Sequence, residues 1–143
     1  MNELALDQQL CFALYKASRA VTSAYRPALA ELGITYPQYL VMLALWERDG
    51  RGVRDLGDEL ELDTGTLSPL LRRLEGRHLV RRERLAADER RVTVHLTEAG
   101  VALRERAIAV PLLLASCSGL SGEAVAELRS TLDRLTRTVR EAA

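Results

Sequence analysis

The stretch Asp63-Thr-Gly-Thr-Leu-Ser-Pro-Leu-Leu-Arg-Arg-Leu-Glu75 decides how the chain is read. Leu67, Leu70, Leu71 and Leu74 fall at i, i+3, i+4 and i+7, one apolar face of a helix from about Thr64 to Arg77. The opposite face carries Gly65, Ser68, Pro69 and Arg72. Pro69 belongs near a first turn, which allows a start as late as Thr66. Upstream, Val53 to Leu60 reads as a short helix with Val53, Leu56 and Leu60 inward, and Glu61-Leu62-Asp63 connects the two. Two short helices so joined make a helix-turn-helix. Downstream, Leu79 to Arg84 and Val92 to Leu96 read as strands, with Val92, Val94 and Leu96 alternating with Thr93 and His95. Leu85 to Arg91 is then a polar hairpin tip. A helix-turn-helix followed by a charged β-hairpin is a winged helix.

Working outward, apolar residues at 10, 14, 17, 21, 24 and 28 predict a first helix over about residues 6–31, with Pro27 interrupting its end and Gly33 closing it. Pro37 opens a second helix over residues 37–48, apolar nearly all round and therefore buried. Asp49-Gly50-Arg51-Gly52 is a turn. Thr97 caps a helix from Glu98 to about Ala109, which Pro111 kinks. Ser121-Gly122-Glu123 starts a last helix to about Arg140, striped by Val125, Leu128, Leu132, Leu135 and Val139. The expectation is a mainly α chain with a small β-hairpin, one domain over residues 1–143. Its winged-helix DNA-binding lobe spans about 37–96, and dimerisation helices span about 6–31 and 98–141. The leftover apolar stripes of those helices call for a second copy of the chain.

Composition agrees. Among 143 residues are 27 Leu and 19 Ala, an excess of strong helix formers. Net charge is zero, yet the window Thr64 to Arg84 holds six arginines against Glu75 and Glu83. Clustering of this kind matters more for nucleic acid than the sum does. No zinc spacing, P-loop or dinucleotide fingerprint is present, so neither a cofactor nor an enzymatic role is expected. The N-terminus lacks the pattern of a signal peptide, and the longest uncharged run, Ala107 to Gly122, is 16 residues and broken by Pro111. A cytoplasmic chain that does not enter the membrane, with Cys11 and Cys117 as free thiols, is expected.

The element order, the stretch 63–75, the tip Asp88-Glu-Arg90 and Leu96-Thr-Glu-Ala-Gly100 resemble the MarR family of dimeric winged-helix regulators. Gln9-Leu-Cys11-Phe-Ala-Leu-Tyr15 and Ile34-Thr-Tyr36-Pro-Gln-Tyr39 are similar to its organic-hydroperoxide-sensing branch, OhrR. On double-stranded DNA, Thr64, Thr66, Ser68 and Arg72 are expected to face the major groove and Arg73 a phosphate. In the wing, Arg90 is the candidate for minor-groove insertion, with Asp88 holding its guanidinium. The resemblance implies the same roles, on an inverted-repeat operator whose half-sites lie about 34 Å apart.

Cys11 is the candidate redox sensor. If Asp7 caps the first helix, Cys11 lies near the positive end of its dipole, which favours a thiolate. Tyrosine hydroxyls that donate to a thiolate lower its pKa below the free value of about 8.5. Tyr15 is one turn away, whereas Tyr25, 14 residues on, lies roughly 21 Å along the axis. Contact between Cys11 and Tyr25 therefore requires the antiparallel first helix of a second subunit. The OhrR resemblance implies this arrangement, Cys11 of one chain with Tyr25 and Tyr36 of the other. Tyr39 and Trp46 read as core packing. In part of the branch a C-terminal cysteine resolves the oxidised sensor as an intersubunit disulfide, and other members are capped by a small thiol. Cys117 is the candidate for the resolving role, with an inert thiol as the alternative.

The function expected is a homodimeric repressor that releases its operator when an organic hydroperoxide oxidises Cys11. The alternatives are a repressor answering a small aromatic ligand, with Cys11 as packing, and a thiol peroxidase.

Overall fold

The computed structural model describes residues 2–143, apart from the side chains of residues 88–90. A short 3-10 turn, Leu6–Gln8, precedes α1 (Leu10–Leu32) and α2 (Tyr36–Glu47). Then come β1 (Arg51–Gly52), α3 (Val53–Leu60), α4 (Thr64–Gly76), β2 (Val80–Leu85) and β3 (Asp88–Leu96). The chain ends with α5 (Glu98–Ala107), α6 (Ala109–Cys117) and α7 (Gly122–Ala142). It divides into two compact units, Met1–Val110 and Pro111–Ala143.

In the first unit α1 starts at Leu10, the first residue of its apolar stripe, and not near residue 6 as expected. Its N-cap is Gln9, with no side-chain cap bond, so Asp7 lies in the preceding turn and does not cap it. Pro27 does not interrupt the helix either, which runs on to Leu32. A proline costs one i→i−4 bond, and the buried Leu29 and Leu32 anchor the turn beyond it. Gly33 then closes α1 in the left-handed region, φ 75°. α2 begins one residue early because Thr35 and Gln38 form a capping box. Thr35 N donates to Gln38 Oε1 at 3.0 Å, and Gln38 N to Thr35 Oγ1 at 3.4 Å. Its Tyr39, Val41, Met42, Ala44 and Leu45 are buried.

α3 and α4 form the helix-turn-helix. Leu56 and the α4 residues Leu67, Leu70, Leu71 and Leu74 are buried as their spacing requires. Asp63 caps α4, its Oδ1 accepting from Thr66 N at 2.7 Å, and this fixes the start at Thr64 rather than Thr66. The three strands form an antiparallel sheet in the order β1-β3-β2. The wing hairpin is longer than the alternation suggests: β3 reaches back to Asp88, Leu85 pairs with Asp88, and the connecting turn is short. The stretch Asp49 to Gly52 is not only a turn, because Arg51 and Gly52 pair with Val94 and Thr93.

Thr97 caps α5, accepting from Gly100 N at 3.1 Å. α5 ends at Ala107, before Pro111, which lies in the first turn of α6. In the second unit Ser121 caps α7, on which no residue is buried. Among the described residues no single helix is long and apolar enough to cross a membrane.

Candidate DNA interface and thiol site

α4 presents Thr64, Gly65, Thr66 and Arg72 to solvent, with Ser68 half-buried beside them. The cap on Asp63 therefore sets which hydroxyls stand at the tip of the helix. Arg73, also exposed, sits in the last turn. Asp88 and Arg90, the pair expected at the wing tip, lie outside the residues whose side chains are described.

Three carboxylates that the sequence reading did not single out tie this surface together. Asp49 Oδ1 accepts from Leu96 N at 2.8 Å, joining the α2–β1 loop to the end of β3. Arg51, 8% exposed, pairs with Glu59 of α3. Glu75 of α4 accepts from Arg82 N at 3.0 Å and from the Arg82 guanidinium at 3.1 Å. These donors, the backbone N–H first, hold the Glu75 carboxyl below its ordinary value. Sequence spacing gave no sign of them, since each partner lies on a different element. Asp63 was more legible, because Asp followed by Thr-Gly-Thr is an N-cap pattern.

Where α1 meets α2, three phenols gather. The Tyr25 and Tyr36 rings stack with centroids 5.9 Å apart and an interplanar angle of 18°. Tyr39 packs beside both, at 6.4 Å and 6.3 Å. It is buried, matching its reading as core, and burial, then Tyr25 and Tyr36, pushes its hydroxyl above the ordinary 10.0. Trp46 also packs against the core, its Nε1 donating to Gly100 O at 2.8 Å. Tyr15 is different: it is exposed, and its hydroxyl accepts from Arg19 at 3.3 Å.

Cys11 is the second residue of α1 and its thiol is exposed. Tyr25 lies on the same unbroken helix. Fourteen residues amount to just under four turns, so Cys11 and Tyr25 lie about 21 Å apart along α1 and only about 40° apart around it. Cys117, the last residue of α6, is exposed and unbonded to any other cysteine. Among the described residues no group of side chains could hold a metal ion.

A family model described as "Transcriptional regulator SarA/Rot" matches residues 23–106. The organic hydroperoxide resistance transcriptional regulator of Bacillus subtilis is 44% identical over 140 residues, 98% of this chain and 95% of that protein. The structure of reduced AbfR bound to DNA shares 36% identity with a TM-score of 0.81, covering 96% of this chain and 94% of that one. Disulfide-formed AbfR gives 37% identity and a TM-score of 0.64, covering 92% of each chain. These relatives extend over nearly the whole length, through the helix-turn-helix and wing just described, and so the chain belongs to the SarA/Rot and MarR-type family of winged-helix, DNA-binding transcriptional regulators.

Proposed function

We propose that this chain is a cytoplasmic homodimeric repressor that reads an inverted-repeat operator and is switched off by organic hydroperoxides through Cys11. The observation that carries this reading is the stacking of Tyr36, at the start of α2, on Tyr25 of α1, where helix geometry puts Tyr25 nearly four turns from Cys11 and about 40° from it around the axis. An antiparallel, two-fold crossing of α1 with its copy brings the thiol of one subunit to the phenols of the other. The crossing has a driving force, since Leu10 and Tyr15 on α1 and Val101 and Ile108 beyond it are more than half exposed. In the second unit Leu112 and Val139 are exposed to the same degree. In DNA binding, Thr64, Thr66, Ser68 and Arg72 read the major groove, Arg73 meets phosphate, and Asp88 and Arg90 serve the wing.

The phenols donate hydrogen bonds to the Cys11 thiolate. Its sulfur attacks the outer oxygen of the hydroperoxide, the O–O bond breaks, and the departing alkoxide takes up a proton as an alcohol. Cys11 becomes a sulfenic acid and no longer offers a charged acceptor to Tyr25 and Tyr36. A thiol then attacks this sulfur and water leaves, giving a disulfide. Cys117 of the other subunit is the proposed thiol, and AbfR, a relative solved reduced on DNA and with a disulfide formed, is a precedent for both states. The chemistry runs once per sensor and is not turnover. Loss of the thiolate–phenol contact shifts α1 against α2 and separates the two α4 helices from their half-sites.

Intact mass under non-reducing, denaturing conditions after an equimolar amount of organic hydroperoxide tests the reading. A doubled mass assigns Cys117 as resolving, and a single-chain mass raised by oxygen or a small thiol assigns it as inert. No change in mass, or a Cys11→Ser protein that still releases DNA on peroxide, refutes the sensor and leaves a regulator answering some other ligand.

A further inference from the structure

β2 is an edge strand, so one side of its backbone has no strand partner. Arg82 of β2 sits opposite Val94 of β3, yet its N–H donates to Glu75 Oε2 at 3.0 Å on α4. The guanidinium of the same residue donates to Glu75 Oε1 at 3.1 Å. One carboxylate thus fills an open backbone donor of the wing and pairs with the side chain of that residue. It stands in the last turn of α4, three residues after Arg72 and next to the buried Leu74. The other strands are tied elsewhere, β1 by Arg51 and Glu59 and the end of β3 by Asp49.

We propose that Glu75 is a positioning residue for DNA binding, which sets the angle of the wing on the recognition helix by holding both donors of Arg82. The proposal rests on the DNA-binding reading of α4 and the wing. It makes a claim opposite in sign to simple electrostatics. Glu75 is an anion within the most basic window of the chain, so removing it raises the local positive charge and, by charge alone, tightens binding to phosphates. If it positions the wing, removing it weakens binding, because a helix and a hairpin that must enter adjacent grooves together lose their fixed separation. The pair is too exposed, at 38% and 32%, to contribute much to stability, so folding and DNA affinity respond differently.

The test uses the full-length protein and a duplex that the wild type selects from a random-sequence pool, with affinity measured across a salt series and a thermal melt beside it. Glu75→Ala is expected to bind about tenfold more weakly, the worth of about one good base contact. Its salt slope falls by about one as a wing phosphate contact is lost, and its melting temperature stays near that of the wild type. Glu75→Asp keeps the charge but is one methylene too short, and it weakens binding similarly; it also serves if the Ala variant fails to fold. Glu75→Gln keeps an acceptor for the Arg82 N–H and retains most of the affinity. Ala and Asp variants that bind as tightly as the wild type, or more tightly, overturn the positioning role while leaving DNA binding intact. A wild type that selects no duplex refutes the DNA reading itself, and this role with it.

Discussion

Replacing Gly100 by Ala places a methyl group where the backbone of Leu79 already is. A Cβ built at Gly100 overlaps the Leu79 carbonyl oxygen and comes within 3.2 Å of its carbon and of Leu96 Cδ2. The carbonyl cannot simply turn aside, because it accepts from Thr97 N at 3.1 Å. The first turn of α5 must therefore move. That motion strains the Thr97 cap on Gly100 N and the bond from Trp46 Nε1 to Gly100 O at 2.8 Å. Overpacking of this kind costs about 1–3 kcal/mol. A weakened hydrogen bond adds about 1 kcal/mol. Exchanging Gly for Ala in a helix returns about 1 kcal/mol. The net loss is about 1–3 kcal/mol, which for a chain of this size lowers the melting temperature by roughly 3–10 °C. Far-UV circular dichroism melts at a fixed protein concentration measure it. Gly76→Ala is the matched control, since nothing lies within 4 Å of the added carbon, and it is expected to stabilise by up to about 1 kcal/mol. A Gly100→Ala protein that melts at or above the wild type refutes the steric argument.

Tyr39 supplies a pH test. Its folded value lies above 10.0, so the neutral phenol supports the fold fully below 10.0, and this contribution is lost as pH rises through the folded value. Ultraviolet titration of the four tyrosines is expected to show a late step that Tyr39→Phe removes, and identical curves for the two proteins would contradict the burial. On DNA, Arg73→Ala is expected to lower the slope of log affinity against log salt by about 0.9, the signature of one phosphate contact. Arg72→Ala instead relaxes sequence preference at one position by about 1–3 kcal/mol. Equal losses on all sequences for Arg72, or an unchanged salt slope for Arg73, would exchange or remove those roles.

The helix-turn-helix was legible because α4 buries four leucines at helical spacing and α3 is bounded by Gly52 and a polar connector. The wing was legible in kind but not in extent. Only Val80 of β2 is buried, and every other residue of that strand is exposed, so period-two alternation had no apolar face to mark. β1 has two residues and is held by its partner strand rather than by its own composition. Pro27 misled for a related reason: tertiary burial of Leu29 and Leu32 outweighs a local breaker. Tyr25 and Tyr36 were named through the resemblance to OhrR; that they stack within one subunit follows only once α1 and α2 are packed. Asp49, Glu59 and Glu75 were invisible because a carboxylate among many charged residues carries no sequence signal until its donor is known.

The proposed pairing of Cys11 with Tyr25 and Tyr36, rather than with Tyr15, the tyrosine nearest Cys11 on its own helix, has a mechanical consequence. Tyr15 faces solvent and is bonded to Arg19, one turn along the same surface. Within one subunit that contact stays on α1. Tyr36 is the first residue of α2, a helix whose Gln38, Tyr39, Val41, Met42, Ala44 and Leu45 are all buried and which packs on both α3 and α4. A close-packed helix has no slack in which to absorb a displacement. If loss of the Cys11 thiolate moves Tyr36, α2 moves as a rod, and the helices seated against it move too. A sensor thiol paired with Tyr15 would leave α4 where it is, whereas one paired with Tyr36 acts at the end of the element on which α4 rests.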